Sequence, residues 1–141
     1  MKIKVFNKET DYEELRDWWG EWGTPQHHQN VLSENGFIIS IDGVNIASAF
    51  IYSTDSYICW LEHLTANKKP WLLLSSEQRV EVLDKLGEAI FEKAKEMGFK
   101  LAFTLATEQQ EKKSRALQEW KTKRMGDVVN KNMTQYYKIL T

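Results

Sequence analysis

A carboxylate and an imidazole stand side by side at Glu62-His63, in the otherwise apolar run Tyr57-Ile58-Cys59-Trp60-Leu61-Glu62-His63. An acid on a mostly apolar strand costs free energy unless it is paired or used. Burial beside Trp60 raises a carboxyl pKa toward neutrality, which suits a group that takes a proton. The structural alternative is a carboxylate paired with Lys or Arg at a strand end. Strand alternation puts Glu62 with Trp60 and Ile58 on one face and His63 with Cys59 on the other, so the two act together only across a bulge. His27-His28 are the remaining histidines, and with no third ligand near them they read as loop polarity; no metal site is expected. Trp18, Trp19 and Trp22 either line a pocket for an acceptor or belong to the core, and only one of the adjacent pair is expected to face fully inward.

The elements that position these groups follow from periodicity and capping. Lys2 to Phe6 alternates as a strand, and Thr10-x-x-Glu13 reads as the capping box of a helix with Tyr12, Leu15, Trp18/Trp19 and Trp22 on its apolar face. Phe37–Ile41 and Val44–Tyr52 form a hairpin turned at Asp42-Gly43, and Tyr57–Thr65 is the third strand of an antiparallel meander. Ala66–Leu74 is a connection containing Pro70, and Ser75-x-x-Gln78 caps a long helix with the stripe Val80, Leu83, Leu86, Ile90, Ala94 and Met97, closed by Gly98. Lys100–Ala106 is a strand that the helical crossover places parallel to the Tyr57 strand. Thr107-x-x-Gln110 caps a last helix to about Lys123, and two strands turned at Lys131-Asn132 close the chain.

This order is α+β, and it resembles the GNAT acyltransferase superfamily over essentially the whole chain: a three-layer α/β/α domain, residues 1–141, with a mixed, mostly antiparallel central sheet. The segments Ala49–Ser56, Cys59–Glu62, Thr65-Ala66-Asn67 and Ala94–Lys100 are similar to those of small GNAT-like proteins of phages and prophages. The resemblance implies a V-shaped split between the Tyr57 strand and the parallel strand, into which acetyl-CoA inserts as co-substrate. Its pantetheine arm pairs with Leu64, Thr65 and Ala66, and its pyrophosphate sits on the Ser75 helix N-terminus near Ser75, Ser76, Gln78 and Arg79. Glu62 is the implied base for a primary amine acceptor, a small molecule or a protein. The sequence departs from the family fingerprint in two places. Ser76 and Gln78 stand where glycines let the backbone approach the phosphates, and the end of the last helix, Trp120 to Gly126, has no tyrosine to serve as the acid for the thiolate, which leaves Tyr136 and Tyr137 on the last strand as the substitutes.

Composition narrows the partners. With 141 residues and 42% hydrophobic content, the chain has the material for one ordinary core. A net charge of -1 gives no overall pull toward nucleic acid, although Lys112, Lys113, Arg115, Lys121, Lys123 and Arg124 make the last helix locally basic among its acidic neighbours. One cysteine excludes an intrachain disulfide framework and fits a reducing compartment. No membrane span or signal segment is seen, so a cytoplasmic protein is expected, in the host cytoplasm if phage-encoded; a homodimer is compatible. Two other functions remain open: a non-catalytic interaction protein of the same fold, and a phage enzyme that modifies nucleic-acid bases.

Overall fold

A computed structural model describes residues 1–107, 126–130 and 133–141, with side chains described outside 105–137. The elements run β1 (Lys2–Val5), α1 (Lys8–Trp22), a short 3-10 turn (Gln29–Val31), β2 (Asn35–Ile41), β3 (Val44–Ser53), β4 (Ile58–Ala66), α2 (Lys68–Leu73), α3 (Ser76–Glu96), β5 (Leu101–Thr107), β6 (Gly126–Asn130) and β7 (Met133–Ile139). The strands form one mixed sheet in the order β1-β2-β3-β4-β5-β7-β6, in which β4 and β5 are the parallel pair. The segment expected to form a last helix, with its basic residues, and the expected Lys131-Asn132 turn lie outside the described residues, while the pair Asn130↔Met133 joins the two closing strands as expected.

The two faces of the sheet have different cores. Against α3, Val82, Leu83, Leu86, Ile90 and Ala94 pack on Ile39, Ile51, Cys59 and Ala102. Against α1, the core is aromatic: Phe6, Trp18, Trp19 and Phe50, with Leu15, Leu32 and Ile38. The helices on opposite faces give the expected α/β/α layering, and the Asp42-Gly43 hairpin turn appears with φ of 51° and 80°, both left-handed as its tight geometry requires.

Several sequence expectations are corrected. The N-cap of α1 is Asn7, not Thr10: the Asn7 side chain accepts from the Glu9 and Thr10 amides, and the buried Asp11 carboxylate accepts the Asn7 N–H at 2.8 Å and an ion pair from Lys4 at 3.0 Å. The Ala66–Leu74 connection contains α2, because Pro70 falls in a first turn where its missing N–H has no partner to lose, and Trp71 is buried beneath it. On α3, Val82 faces the core and Val80 is only half-buried. Trp18 and Trp19 are both buried, at 3% and 4% exposure, because Trp19 is covered from outside by the loop that follows α1.

Candidate functional site

Two departures from a regular ladder shape the end of β4. On its β3 side the pairs Ser48↔Thr65 and Phe50↔Glu62 leave β4 one residue longer than its partner, and His63 takes up the excess at φ 55°. That left-handed conformation is rare for a residue with a Cβ, and it turns the imidazole back onto the α1 face. His63 therefore joins Glu62 instead of opposing it, which corrects the alternation expected from sequence. On its other side, β4 pairs with β5 only over Ile58, Cys59 and Trp60, opposite Leu101, Ala102 and Phe103. From Leu61 to Ala66 it has no partner in β5, so the strands splay into a V.

Amides on a strand point alternately to its two sides. The Asn67 N–H bonds Ile46 O of β3 at 2.7 Å, so Thr65 also faces β3 with its backbone, while Leu64 and Ala66 face the split. Trp22 donates its indole N–H to Ala66 O at 2.7 Å. Thr65 serves through its hydroxyl, which receives the Trp19 indole N–H and donates to His63 O, both at 3.0 Å, and so ties α1 to the bulge.

An aromatic cluster gathers around the bulge. The His63 ring lies 5.0 Å from His27, 5.7 Å from both Trp19 and Tyr52, and 6.4 Å from Phe50, centroid to centroid. The Tyr12 hydroxyl fixes the loop by donating to His27 O at 2.6 Å. His28 is occupied elsewhere, capping the 3-10 turn through Asn30 N–H. Burial, and then the charge of His27, hold the His63 imidazole below its ordinary range. Burial raises the Tyr52 phenol, a backbone hydrogen bond from Ser33 opposes this, and the charge of Glu62 raises it further. Tyr52 and Glu62 are therefore electrostatic neighbours. Cys59, on the opposite face, is 0% exposed with its thiol pushed up to about 11, so it stays protonated and is no nucleophile.

The residues expected to hold a pyrophosphate are mostly engaged with one another. Ser75 and Gln78 form a complete capping box, Ser75 Oγ accepting from Gln78 N at 3.1 Å and Gln78 Oε1 from Ser75 N at 2.9 Å. Arg79 donates to Trp71 O and Leu72 O, each at 3.1 Å, and stacks on Trp71, closing the C-terminus of α2. Lys68 donates to Glu21 O and lies over Trp22. What this helix end still offers an anion is the first-turn N–H groups of Ser76 and Glu77 and the exposed Lys69. A groove of about 270 Å³ framed by Asp84, Glu88, Phe91, Lys95 and Lys138 lies on the α3 side and shares no residue with the bulge. Among the described residues no cluster has the makings of a metal site, and no helix is long and apolar enough to cross a membrane.

No family model and no curated protein matches the sequence. Solved structures match in shape. N-acetylglutamate synthase from Neisseria gonorrhoeae, complexed with coenzyme A and N-acetyl-glutamate, aligns over 99% of this chain with a TM-score of 0.70 and 15% identity. This chain spans 35% of that protein. An acetyltransferase of the GNAT family from Staphylococcus aureus Mu50 aligns over 99% of both chains, with a TM-score of 0.69 and 12% identity. The chain has the GNAT fold. Ard1 from Thermoplasma volcanium agrees, with a TM-score of 0.72 and 12% identity over 99% of this chain and 97% of that one. Within the GNAT fold, the bulged and splayed β4 brings together Glu62, His63, Tyr52, His27 and the edge at Leu64 and Ala66. Tyr52 could have been suspected from sequence only by pairing β3 with β4 in register, and His27, read there as loop polarity, joins the cluster because the post-α1 loop folds over Trp19.

Proposed function

We propose that the chain is an acyl-CoA-dependent N-acyltransferase that moves an acetyl group from acetyl-CoA to a primary amine. The observation that carries this reading is that β5 pairing stops after Trp60, so the side of β4 that faces the split at Leu64 and Ala66 has no strand beside it. Such an edge accepts an extended ligand with its own amides as an added strand. A diphosphate at the Ser76 and Glu77 amides would begin the cofactor at the far end of that edge. Its arm would then run back past Ala66 and Leu64, delivering the thioester to the bulge. There the Glu62 carboxylate meets the acceptor's ammonium and takes its first proton. The proposal extends to a kinship with small phage GNAT-like proteins, for which the resemblance at Ala49–Ser56 and Ala94–Lys100 is the support.

A second reading, a non-catalytic domain of the same fold, draws on one observation: the capping box and the Arg79 contacts spend most of the polar groups that would anchor a cofactor. Thermal unfolding with acetyl-CoA separates the two. A ligand that binds only the native state adds about 2.7 kcal/mol of stability at a hundred times its Kd. The transferase requires Tm to rise with acetyl-CoA and free CoA to appear when spermidine, lysine or a peptide with a free N-terminus is added. A Tm that stays fixed at millimolar acetyl-CoA overturns it.

A further inference from the structure

We propose that His63 is a proton shuttle in the chemical step, taking the proton that the acceptor nitrogen releases as the C–N bond forms and handing it to the departing thiolate sulfur. The inference rests on the acyl-transfer reading of the same site and supplies the acid that the missing tyrosine before Gly126 leaves without an owner. Its geometric basis is the bulge. A residue with a Cβ held in the left-handed region of a strand is conformationally costly and persists where the surroundings over-determine it, often at functional sites. Here the cost turns an imidazole from the α3 core onto the face of Glu62, one residue from the open edge. Four aromatic rings hold the imidazole in place, and no hydrogen bond to either of its nitrogens is formed among the described residues.

The protons balance. The acceptor arrives as an ammonium with three protons and leaves as an amide with one. The first proton passes to Glu62 and on to solvent. As the amine attacks the thioester carbonyl, the C–N bond forms and the nitrogen becomes acidic. Its second proton goes to the neutral His63 imidazole. The C–S bond then breaks, the electron pair leaves on sulfur, and the imidazolium protonates the thiolate. The titratable groups facing His63 are His27 from the loop after α1, Tyr52 from β3 and Glu62 from β4 itself. Burial and His27 keep the imidazole neutral near pH 7, ready to accept. An imidazolium is a stronger acid than a thiol of pKa about 8.5, so the transfer to sulfur runs downhill.

The test uses His63→Gly, because glycine adopts the bulge conformation without strain while removing the ring. With acetyl-CoA and the amine probes above, kcat should fall about 10²-fold, KM for acetyl-CoA should hold, and added free imidazole should restore part of the rate. A wild-type rate in the variant, or a loss that imidazole does not rescue, overturns the shuttle. A readout independent of turnover is the His63 ring resonance, which should titrate at higher pH with CoA bound than with desulfo-CoA bound. CoA that binds without moving that titration sinks the shuttle alone. If CoA fails to bind at all, the acyl-transfer reading falls first.

Discussion

The bulged end of β4 and the N-terminus of α3 are both rich in polar residues, but they use them in opposite ways. At α3, Ser75 and Gln78 satisfy each other and Arg79 satisfies α2, so the segment is a well-made helix start with little left over. At β4, Glu62 and His63 share one face, His63 and His27 lie within 5.0 Å, and the strand edge beside them has lost its partner. Polar residue type alone did not distinguish the two. The distinction lies in what surrounds each group: Ser75 and Gln78 are closed on each other within one turn, whereas Glu62 and His63 stand on a strand whose neighbouring edge is open.

The largest expected effect breaks the β4 side of this contrast. Glu62→Gln keeps the side chain's shape and removes its charge, so turnover with acetyl-CoA should drop by about 10² or more while Tm changes little. A large loss of stability with activity retained would make Glu62 a structural carboxylate, and the contrast would collapse. Gly36→Ala attacks the support beneath the same site. Gly36 pairs with Phe50, and a Cβ there would overlap the Phe50 ring and come within 3.1 Å of the Phe6 Cβ. Phe50 is 0% exposed and backs the His63 ring, so it has nowhere to retreat. Overpacking of this kind costs about 1–3 kcal/mol. Denaturant unfolding should show that loss, and turnover measured below the new midpoint should fall with it; an unchanged midpoint would mean that the aromatic core is loose enough to repack.

The parts of this contrast that were legible in the sequence are those set by local rules. The Asp42-Gly43 turn, the Ser75–Gln78 box and the crossover that makes β5 parallel to β4 each follow from neighbouring residues or from chain connectivity. Glu62 stood out because a carboxylate in an apolar strand is locally conspicuous. The position of His63 was not legible, because a bulge is a bargain between two strands: β4 carries one residue more than β3, and nothing in Glu62-His63-Leu64 alone says where the excess goes. The cover on Trp19 was hidden for the same reason, since His27 reaches it from a loop whose path is set by Tyr12 and Thr24. Even Thr10-x-x-Glu13 misled, because Asn7 and Asp11 formed an equivalent reciprocal cap one turn earlier.

The α3 side is sharpened by a smaller change. Gln78→Gly removes the side chain that occupies the Ser75 N–H and puts a glycine where the family fingerprint has one. It should cost about 1 kcal/mol through the lost capping box and glycine's backbone entropy. If the self-satisfied cap is what limits anion binding, acetyl-CoA affinity measured by calorimetry should rise despite that loss. An affinity that falls instead would show that the Gln78 amide itself holds the cofactor, and this helix end would be a site in the same sense as the bulge. Ser75→Ala, by comparison, should cost a similar amount of stability and leave the affinity nearly unchanged.

The smallest effect is the pH dependence of stability, and it is expected from the β4 cluster. His63 titrates below its ordinary value of 6.5 in the folded protein. Between the folded and unfolded values the unfolded chain holds a proton that the folded chain does not, so stability rises with pH through that window. The contribution is complete above about 6.5 and is lost as pH falls through the folded value. His63→Asn tolerates the left-handed backbone and cannot titrate. The wild type should therefore lose stability faster than His63→Asn on acidification from pH 7 to 5, and the difference between them should be flat above pH 7. Parallel curves would mean that the ring is as open to water when folded as when unfolded. The packing of Trp19 and His27 around it would then not exclude solvent, and the bulge would expose its polar groups no differently from the first turn of α3.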